Sequence, residues 1–309
     1  MRDCILDFET TRHRRRHKET TIRDLNYELK QLCQRNRDGS YATQYARERI
    51  LTQIANQLHE MGFRDMKATN LKPKHVQALV ERWKAERLSA GAIKNRMAEQ
   101  RWWAEKIGKQ GVIAQDNAHY GIANRQYVTN VSKARELTAQ ELAKVTDPYT
   151  QLSLKLQPAF GLRREESIKI MPRWADGGDR LVLMDSWTKG GRAREIPIRT
   201  SEQRALLDAA KGFAGGGSLI PKKMSYKAQL NRFKSQCDQA GIKHVHGHRH
   251  YYAQLRYAEL TGWACPAKGG PTSKQLTPEQ KKIDRDARLT ITHELGHGRA
   301  QVTATYLGR

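Results

Sequence analysis

Apolar side chains recur every three or four residues along most of this sequence, and that spacing limits the possible folds more than any other feature. Ile50, Ile54 and Leu58, for example, are four residues apart, which places them on one face of an α-helix. Thr138 with Glu141 three residues later has the spacing of a capping box at a helix start. Helices are predicted over residues 41–61, 72–88, 92–107, 201–210, 225–240 and 248–260. A helix is also predicted to start at residue 138, and another to run to about residue 160.

One short region departs from the helical pattern. Residues 180–184 are predicted to form a strand, residues 188–192 a turn and residues 194–198 a returning strand. The Gly-Gly pair inside the turn is typical of a β-hairpin. A mostly helical chain with one small antiparallel sheet belongs to the α+β class. We therefore predict an α+β fold that is mostly α.

Length and polarity predict two domains. A chain of 309 residues exceeds the usual size of one domain. A polar, weakly patterned stretch runs over residues 110–133 and separates the two halves. We expect a basic arm over residues 1–20, a helical domain over 21–130 and a mixed domain over 136–309. Within the mixed domain, the polar segment 263–288 contains Pro and Gly and is predicted to be a loop or insertion.

The net charge indicates a polyanionic partner. The chain carries 56 Lys and Arg against 32 Asp and Glu, a net charge of +24, and residues 1–135 and 136–309 hold +12 each. An excess shared by both halves favours nucleic acid as the partner over a basic tail on a neutral enzyme. The alternative is a solvated basic surface without a partner.

No segment indicates a membrane or secreted protein. Apolar runs fall far short of the roughly 20 residues that span a bilayer, and the first residues lack the apolar core of a signal peptide. Four cysteines stand far apart without a CxxC pair, which indicates reduced thiols rather than disulfides or a zinc site. We expect a cytoplasmic protein with no membrane partner.

Four short segments of the second half carry candidate chemistry. They are Gly161–Glu166 with the sequence GLRREE, Thr188–Gly191 with TKGG, His246–His250 with HGHRH, and Leu295–His297 with LGH, nine residues before Tyr306. In this order they resemble the active-site motifs of the tyrosine recombinases, also called the phage integrase family. The family patterns are GLRxxE, a hairpin lysine, HxxR, and LGH followed by a tyrosine.

The resemblance covers roughly residues 137–306 and implies a site-specific DNA recombinase that cleaves and rejoins DNA through a 3′-phosphotyrosyl intermediate. The N-terminal half resembles the family's helical core-binding DNA domain in pattern only. The family also implies double-stranded recombination sites as the partner, a homotetramer on two sites, accessory DNA-bending proteins and association with a bacterial nucleoid. The implied catalytic residues are Arg163, Lys189, His246, Arg249, His297 and Tyr306, with Glu166 in support. The basic residues predicted to contact DNA are Arg14, Arg15, Arg16, Lys94, Arg96 and Arg192.

The chemistry of phosphodiester transfer explains these residue types. Planar guanidiniums form paired, charge-assisted hydrogen bonds to phosphate oxygens, so Arg163 and Arg249 could hold one phosphate from two sides. Lys189 at a hairpin tip could protonate the leaving 5′ oxygen, and His246 could accept the tyrosine proton. His297 could hydrogen-bond the phosphate. Because these groups can neutralise the phosphate themselves, we expect no cofactor and no metal ion.

The spacing of the last motif requires a break in the helix. Nine residues on an unbroken helix turn by about 900°, which would place His297 and Tyr306 on opposite faces. We expect the break at Gly296 and Gly298, where glycine permits positive φ. Three residues follow Tyr306, too few for the tail helix that couples protomers in many family members. We expect segment 263–288 to provide that coupling, in preference to the basic arm.

Three alternatives remain open. A DNA-binding protein on the same scaffold could regulate or bridge DNA without cleaving it. A topoisomerase shares the chemistry but does not need two specific sites. The alternating His244, His246, His248 and His250 could form a metal-binding strand, although no nearby Cys completes the ligand set. The alternation fails if His248 begins a helix, and His246, Arg249 and His250 then share one helix face.

Overall fold

The computed structural model describes residues 24–309, so the predicted arm, with Arg14, Arg15 and Arg16, lies outside the described residues. The chain divides into two compact units, with the boundary between Arg125 and Gln126. Among the described residues, no helix is both long and apolar enough to cross a membrane.

The first unit is helical, close to the bounds that the apolar spacing predicts. Its core holds two fully buried tryptophans, Trp83 and Trp103. Their indole N–H groups donate to the side chain of Gln57 and the carbonyl of Ala68, both at 2.9 Å. Paired in this way, each ring can be buried without an unsatisfied donor. The helices are α1 (residues 24–35), α2 (Tyr41–Glu60), α3 (Pro73–Ala85) and α4 (Ala90–Lys106).

The second unit combines helices with one two-stranded sheet, as far as residues 24–309 are described. Its elements are α5 (Ala139–Ala143), α6 (Pro148–Phe160), α7 (Arg164–Lys169), α8 (Pro172–Ala175), β1 (Arg180–Leu183), β2 (Arg194–Pro197), α9 (Ser201–Ala214), α10 (Tyr226–Gln239), α11 (Gly247–Thr261), α12 (Pro278–Glu294) and α13 (Ala300–Leu307). The predicted fold class, mostly α with a small antiparallel sheet, is confirmed.

The predicted hairpin is present. Strands β1 and β2 pair antiparallel, with Leu181 opposite Ile196 and Leu183 opposite Arg194. The Gly-Gly pair of the turn has φ values of 81° and 64°, which side chains with a Cβ rarely adopt. The hairpin therefore presents residues 188–192 at its tip.

The prediction that segment 263–288 is a loop is wrong for its second half. Helix α12 begins at Pro278, and Thr277 forms a capping box in which the side chains of Thr277 and Gln280 each accept from the other's backbone N–H. The preceding residues also pack, since Cys265 and Leu276 are buried. The many charged residues on the exposed side of α12 concealed its narrow apolar face in the sequence.

The predicted helix break before Tyr306 is confirmed, but one detail is wrong. Helix α12 ends at Glu294, Gly296 has a φ of +64°, and Tyr306 lies on the next helix, α13. Gly298 does not have a positive φ. Of the two glycines, Gly296 alone supplies the left-handed turn.

Candidate active site

Arg163 lies two residues after a close contact between the end of helix α6 and helix α11. Helix α6 ends at Phe160 and is capped by Gly161, whose φ is +61°, and a Cβ at Gly161 would lie 2.6 Å from Cδ1 of Tyr252. Glycine is therefore required by both the backbone conformation and the lack of space. The chain then turns into α7, with Arg163 as its N-cap residue and with 21% of the Arg163 side chain exposed. Arg163 can thus reach a ligand in solvent.

Glu166 is fully buried and holds arginines from separate elements. Its Oε1 accepts from Nη1 of Arg163 at 2.7 Å and from Nη1 of Arg194 at 3.0 Å, and its Oε2 accepts from Nη2 of Arg194 at 2.6 Å. Nη1 of Arg249 lies 3.9 Å from Oε2. Burial favours the neutral acid, but the hydrogen bonds and charge of Arg194, together with Arg249 and Arg163, lower the pKa of Glu166 to about 2. One carboxylate thus faces three guanidiniums, and we call these four residues the arginine cluster.

Arg249 joins several motifs at their backbones. The residue is 1% exposed, and its guanidinium donates to the carbonyl of Gly161 at 2.5 Å and to the carbonyl of Leu295. Burial, and then the charge of Arg163, lower the pKa of Arg249 to about 10, although Tyr306 and Glu166 oppose the shift. Arg249 therefore remains a cation at neutral pH, in a fixed orientation.

Tyr306 places its hydroxyl beside this cation. Its Oη lies 3.4 Å from Nε of Arg249 and 3.3 Å from Nε2 of His246. Its ring centroid lies 4.4 Å from that of His250 and 5.4 Å from that of His297. The tyrosine is 5% exposed, so these contacts enclose most of its surface.

The three histidines around Tyr306 are held in their neutral form. Burial is the first cause for each, and the charge of Arg249 contributes to each as well. The pKa of His246 is lowered, that of His250 falls to about 4 and that of His297 to about 3, with Arg163 also lowering the values for His246 and His297. A neutral imidazole can donate its ring N–H to a phosphate oxygen while the nearby guanidiniums supply the positive charge. The site therefore suits a phosphate group.

Lys189 is placed differently from the other predicted catalytic residues. It is exposed at the hairpin tip, in a turn where the Thr188 hydroxyl accepts from the backbone N–H of Arg192 at 2.8 Å. In the part of the chain that the structure describes, Lys189 makes no hydrogen bond or ion pair with Arg163 or Tyr306. Direct contacts thus join Arg163, Glu166, His246, Arg249, His297 and Tyr306, whereas Lys189 is exposed and has no hydrogen bond or ion pair to them among the described residues.

The alternating histidines do not form a metal-binding strand. Helix α11 begins at Gly247, and His246 is its N-cap residue, so His246, Arg249 and His250 share one helix face as predicted. Nδ1 of His248 lies 2.9 Å from the carbonyl oxygen of Arg135. Residues 24–309 contain no group of three or more His, Cys, Asp or Glu arranged to hold a metal ion.

The sequence matches known families over most of its length. Residues 22–113 match the phage integrase N-terminal domain, and residues 123–258 match the integrase domain. The second match includes three of the four motifs and ends before the segment that contains Tyr306.

The chain belongs to the phage integrase family of tyrosine recombinases.

Solved structures of integrases share its fold. A lambda integrase tetramer bound to a Holliday junction is 17% identical, covers 92% of this chain and 78% of its own, and gives a TM-score of 0.56. The Tn1549 transposon integrase in complex with circular intermediate DNA is 14% identical, with coverage of 91% and 95% and a TM-score of 0.52. Curated protein sequences provide no match.

The residues predicted to contact DNA occupy different environments in this integrase. Nζ of Lys94 donates to Oδ1 of Asn124 at 3.2 Å. The Arg96 guanidinium lies 5.2 Å from the ring centroid of Trp83, and burial lowers its pKa. Arg192 is exposed at the hairpin tip. Arg192 is therefore the most accessible of the three, and DNA contact by any of them stays a prediction.

Arg194 also belongs to the site, although none of the four sequence motifs contains it. On β2, Arg194 and Ile196 both face the buried side of the sheet while Glu195 between them is exposed, and Arg194 is 8% exposed. Its Nε also donates to the carbonyl of Glu294 at 2.9 Å, at the end of α12. The signal was an arginine at an inward-facing strand position, which requires a buried acidic partner. The sequence alone does not reveal that this partner is Glu166.

Proposed function

We propose that this integrase is a site-specific DNA recombinase that cleaves and rejoins DNA through a covalent 3′-phosphotyrosyl bond. The observation that carries the proposal is the position of the Tyr306 hydroxyl, 3.4 Å from Nε of Arg249 and 3.3 Å from Nε2 of His246. A nucleophile, a cation for the phosphate and a neutral base thus stand together.

The arginine cluster prepares the site for the scissile phosphate. Arg163 and Arg249 would donate to its non-bridging oxygens, and Glu166 would keep both guanidiniums in orientation. His297, whose Nε2 lies 3.4 Å from Nη2 of Arg249, would add a hydrogen bond to the same phosphate. Donors that are already oriented stabilise the charge of the transition state without further reorganisation.

Cleavage then requires two proton transfers. Oη of Tyr306 attacks phosphorus, its proton passes to His246, and the bond from phosphorus to the 5′ oxygen breaks. Lys189 gives a proton to that oxygen, which requires the hairpin tip to approach the bound DNA. In the reverse step a 5′ hydroxyl attacks the phosphotyrosine, and Tyr306 is released. The energy of the phosphodiester bond is kept throughout, so no step needs ATP, and the arginines can neutralise the phosphate without a metal ion.

The proposal extends to partners and domain roles. Double-stranded DNA is the substrate, and the net charge of +24 supports binding along its phosphates. We assign core DNA binding to residues 21–130, catalysis to 136–309 and further DNA contact to the arm, 1–20. The likeness to a lambda integrase tetramer bound to a Holliday junction supports a homotetramer on two sites. Accessory DNA-bending proteins and a nucleoid location are part of the same proposal.

The test uses a duplex with the sequence that flanks the gene, nicked near the candidate scissile phosphate and incubated with protein in excess EDTA. The wild type is expected to form a protein–DNA adduct that survives denaturation. Tyr306→Phe removes one oxygen and should bind the duplex as tightly as the wild type but form no adduct. Tyr251→Phe, on the neighbouring helix α11, is the matched control and should form the adduct normally.

Other outcomes would contradict specific parts of the proposal. An adduct in Tyr306→Phe would assign the attack to another residue. A gel shift without an adduct in the wild type would favour a DNA-binding protein that does not cleave. Adduct formation only after magnesium or zinc is restored would contradict the all-protein site. Relaxation of supercoiled DNA that lacks the site would indicate a topoisomerase.

A further inference from the structure

Gln254 holds the main chain of the proposed nucleophile. It lies on α11, one turn beyond His250, and is 3% exposed. Its Nε2 donates to the carbonyl oxygen of Tyr306 at 3.0 Å. The His250 ring packs on the Tyr306 ring from the same helix, with centroids 4.4 Å apart. Helix α11 thus fixes the tyrosine at both its backbone and its side chain.

The carbonyl of Tyr306 needs a donor from outside its own helix. Helix α13 ends at Leu307, so the last four carbonyls have no amide four residues further along the helix. The backbone N–H of Gly308 donates to Ala304, not to Tyr306. Because Tyr306 is buried, loss of the Gln254 donor would leave its carbonyl unpaired inside the protein. The Gln254 amide therefore completes the end of α13 at the residue that reacts.

Ser132 supports the orientation of this amide. The Tyr306 carbonyl can only accept, so Nε2 of Gln254 faces it, and Oε1 accepts from Oγ of Ser132 at 3.0 Å. Ser132 Oγ in turn accepts from the backbone N–H of Ala134 at 3.2 Å. Ser132 lies just after the boundary at Gln126, in the segment through which the chain enters the second unit. A continuous set of hydrogen bonds thus joins that entry segment to Tyr306.

We infer that Gln254 is a positioning residue for Tyr306 and that Ser132 acts through it, so that the segment entering the second unit controls the placement of the nucleophile. When Ser132 is in place, the amide donates to the Tyr306 carbonyl. When Ser132 is displaced, Oε1 loses its donor, and the amide is no longer held on both sides at the Tyr306 carbonyl. The inference rests on the proposed role of Tyr306 in cleavage.

The test compares single-turnover cleavage of the nicked duplex by variants of the full chain. Gln254→Glu keeps the size of the side chain and an acceptor for Ser132 but removes the donor to Tyr306. Gln239→Glu, at an exposed position of α10, makes the same change in charge and is the control. Gln254→Glu is expected to cleave about tenfold to a hundredfold more slowly, with DNA affinity within about twofold of the wild type, because small displacements of reacting groups cost about that much in rate. Gln239→Glu should match the wild type.

Ser132→Ala tests the link to the entry segment. It should slow cleavage in the same direction but less, by about threefold to tenfold, because the amide can still sample its productive orientation. The double variant Ser132→Ala/Gln254→Glu should be no slower than Gln254→Glu alone, since both changes act on one interaction. Additive losses would show that Ser132 does not act through Gln254.

Amide hydrogen exchange of the free protein provides a readout that does not depend on activity. Exchange at the end of α13 should rise in Gln254→Glu and not in Gln239→Glu. If the wild type forms no adduct while exchange responds in this way, the proposed function fails and the hydrogen-bonded link stands. Equal cleavage and equal exchange in the two glutamate variants would overturn the inference. If Gln254→Glu loses protection throughout the second unit, Ser132→Ala decides, and unchanged cleavage and exchange in that variant would overturn the inference as well.

Discussion

The arginine cluster and the hairpin tip supply two parts of the same proposed reaction, but they are built in opposite ways. Glu166 and Arg249 are at most 1% exposed, and each contacts distant parts of the chain. Lys189 is exposed on a turn that is closed by its own Thr188. The arginines proposed to bind the phosphate are therefore already held in place in the free protein. Lys189, the proposed proton donor, is instead exposed at a turn.

The free-energy cost of burying a charge explains why the arginine cluster and the hairpin tip differ in this way. Burying a charge is expensive unless its partners are fixed, so the cluster must be rigid to exist at all. An exposed lysine costs nothing in the free protein and loses side-chain entropy only when it binds. Variants in the cluster should therefore change both stability and cleavage, whereas variants at the hairpin tip should change cleavage alone.

The largest effect is expected from Lys189→Ala at the hairpin tip. Loss of a general acid typically slows a reaction by about a hundredfold to ten-thousandfold. Stability should change by no more than about 0.5 kcal/mol, because the side chain is exposed and, among the described residues, has no hydrogen bond or ion pair to the cluster. Single-turnover cleavage and denaturant unfolding measure the two quantities on the same preparation.

A substrate with sulfur in place of the scissile 5′ oxygen sharpens this test. A thiolate leaves without being protonated, so the variant should cleave this substrate nearly as fast as the wild type. If the variant stays equally slow on both substrates, Lys189 serves another step. If Lys189→Ala also lowers the free energy of unfolding, the Lys189 side chain contributes more to stability than its exposure indicates.

Arg194→Met should have the next largest effect, this time on stability. The change removes the bidentate partner of the buried Glu166, and breaking a buried ion pair costs about 3–5 kcal/mol. Arg180→Met is the matched control on the paired strand, since Arg180 bonds Asp179 and Glu195 at the surface. That variant should lose at most about 1 kcal/mol. Equal losses in denaturant unfolding would contradict the distinction between cluster and surface.

The pH dependence of stability tests the charge state of Glu166. Its pKa in the folded protein, about 2, lies below its ordinary value of 4.5, because the pull of Arg194, Arg249 and Arg163 exceeds the effect of burial. Ionised Glu166 therefore contributes stability, about 3 kcal/mol, that is fully present above about pH 4.5 and is lost as the pH falls toward 2.

The measurement compares the free energy of unfolding of the wild type with that of Glu166→Gln at several pH values. The advantage of the wild type should shrink as the pH falls from 5 to 3. Glu165→Gln, at an exposed neighbouring position of α7, should show no such trend. An advantage that does not depend on pH would mean that Glu166 is not ionised in the folded protein.

Much of the site could be predicted from the sequence, because its chemistry lies where the chain turns. Arg163 follows the glycine that ends α6, His246 opens α11, and Gly296 makes the break that lets Tyr306 lie on the next helix. Each of these positions depends on local backbone geometry, which spacing and glycine content reveal. The hairpin was predictable for the same reason.

The remaining features depend on contacts between distant residues or on weaker signals. Arg194 and Glu166 are 28 positions apart, and neither local sequence indicates the other. The start of α12 did have a local signal in Thr277 and Gln280, but charged residues dominate that helix. The spacing of residues in the sequence also could not show that Lys189 makes no hydrogen bond or ion pair with the arginine cluster. The tertiary fold, and not the residues of the turn, sets the position of a hairpin tip.

The smallest effects are expected at Gly296 and Gly298. The first glycine lies against the arginine cluster, and the second lies against Arg192 of the hairpin tip. A Cβ at Gly296 would lie 2.8 Å from Cδ of the buried Arg194, and the backbone φ there is +64°. Gly296→Ala should therefore lose about 1–3 kcal/mol from backbone strain and from displacement of the cluster.

The three atoms nearest to a Cβ at Gly298 would all belong to the guanidinium of Arg192, with Nη1 2.1 Å away. That group is the end of an exposed, flexible side chain, and Gly298 has no positive φ, so the arginine can swing away. Gly298→Ala should change stability by about 0.5 kcal/mol or less. Thermal and denaturant unfolding of the two variants, side by side, measure the contrast. A loss at Gly298 as large as that at Gly296 would mean that the hairpin tip is fixed against the turn before α13, and Lys189 would then lack the freedom that its proposed role requires.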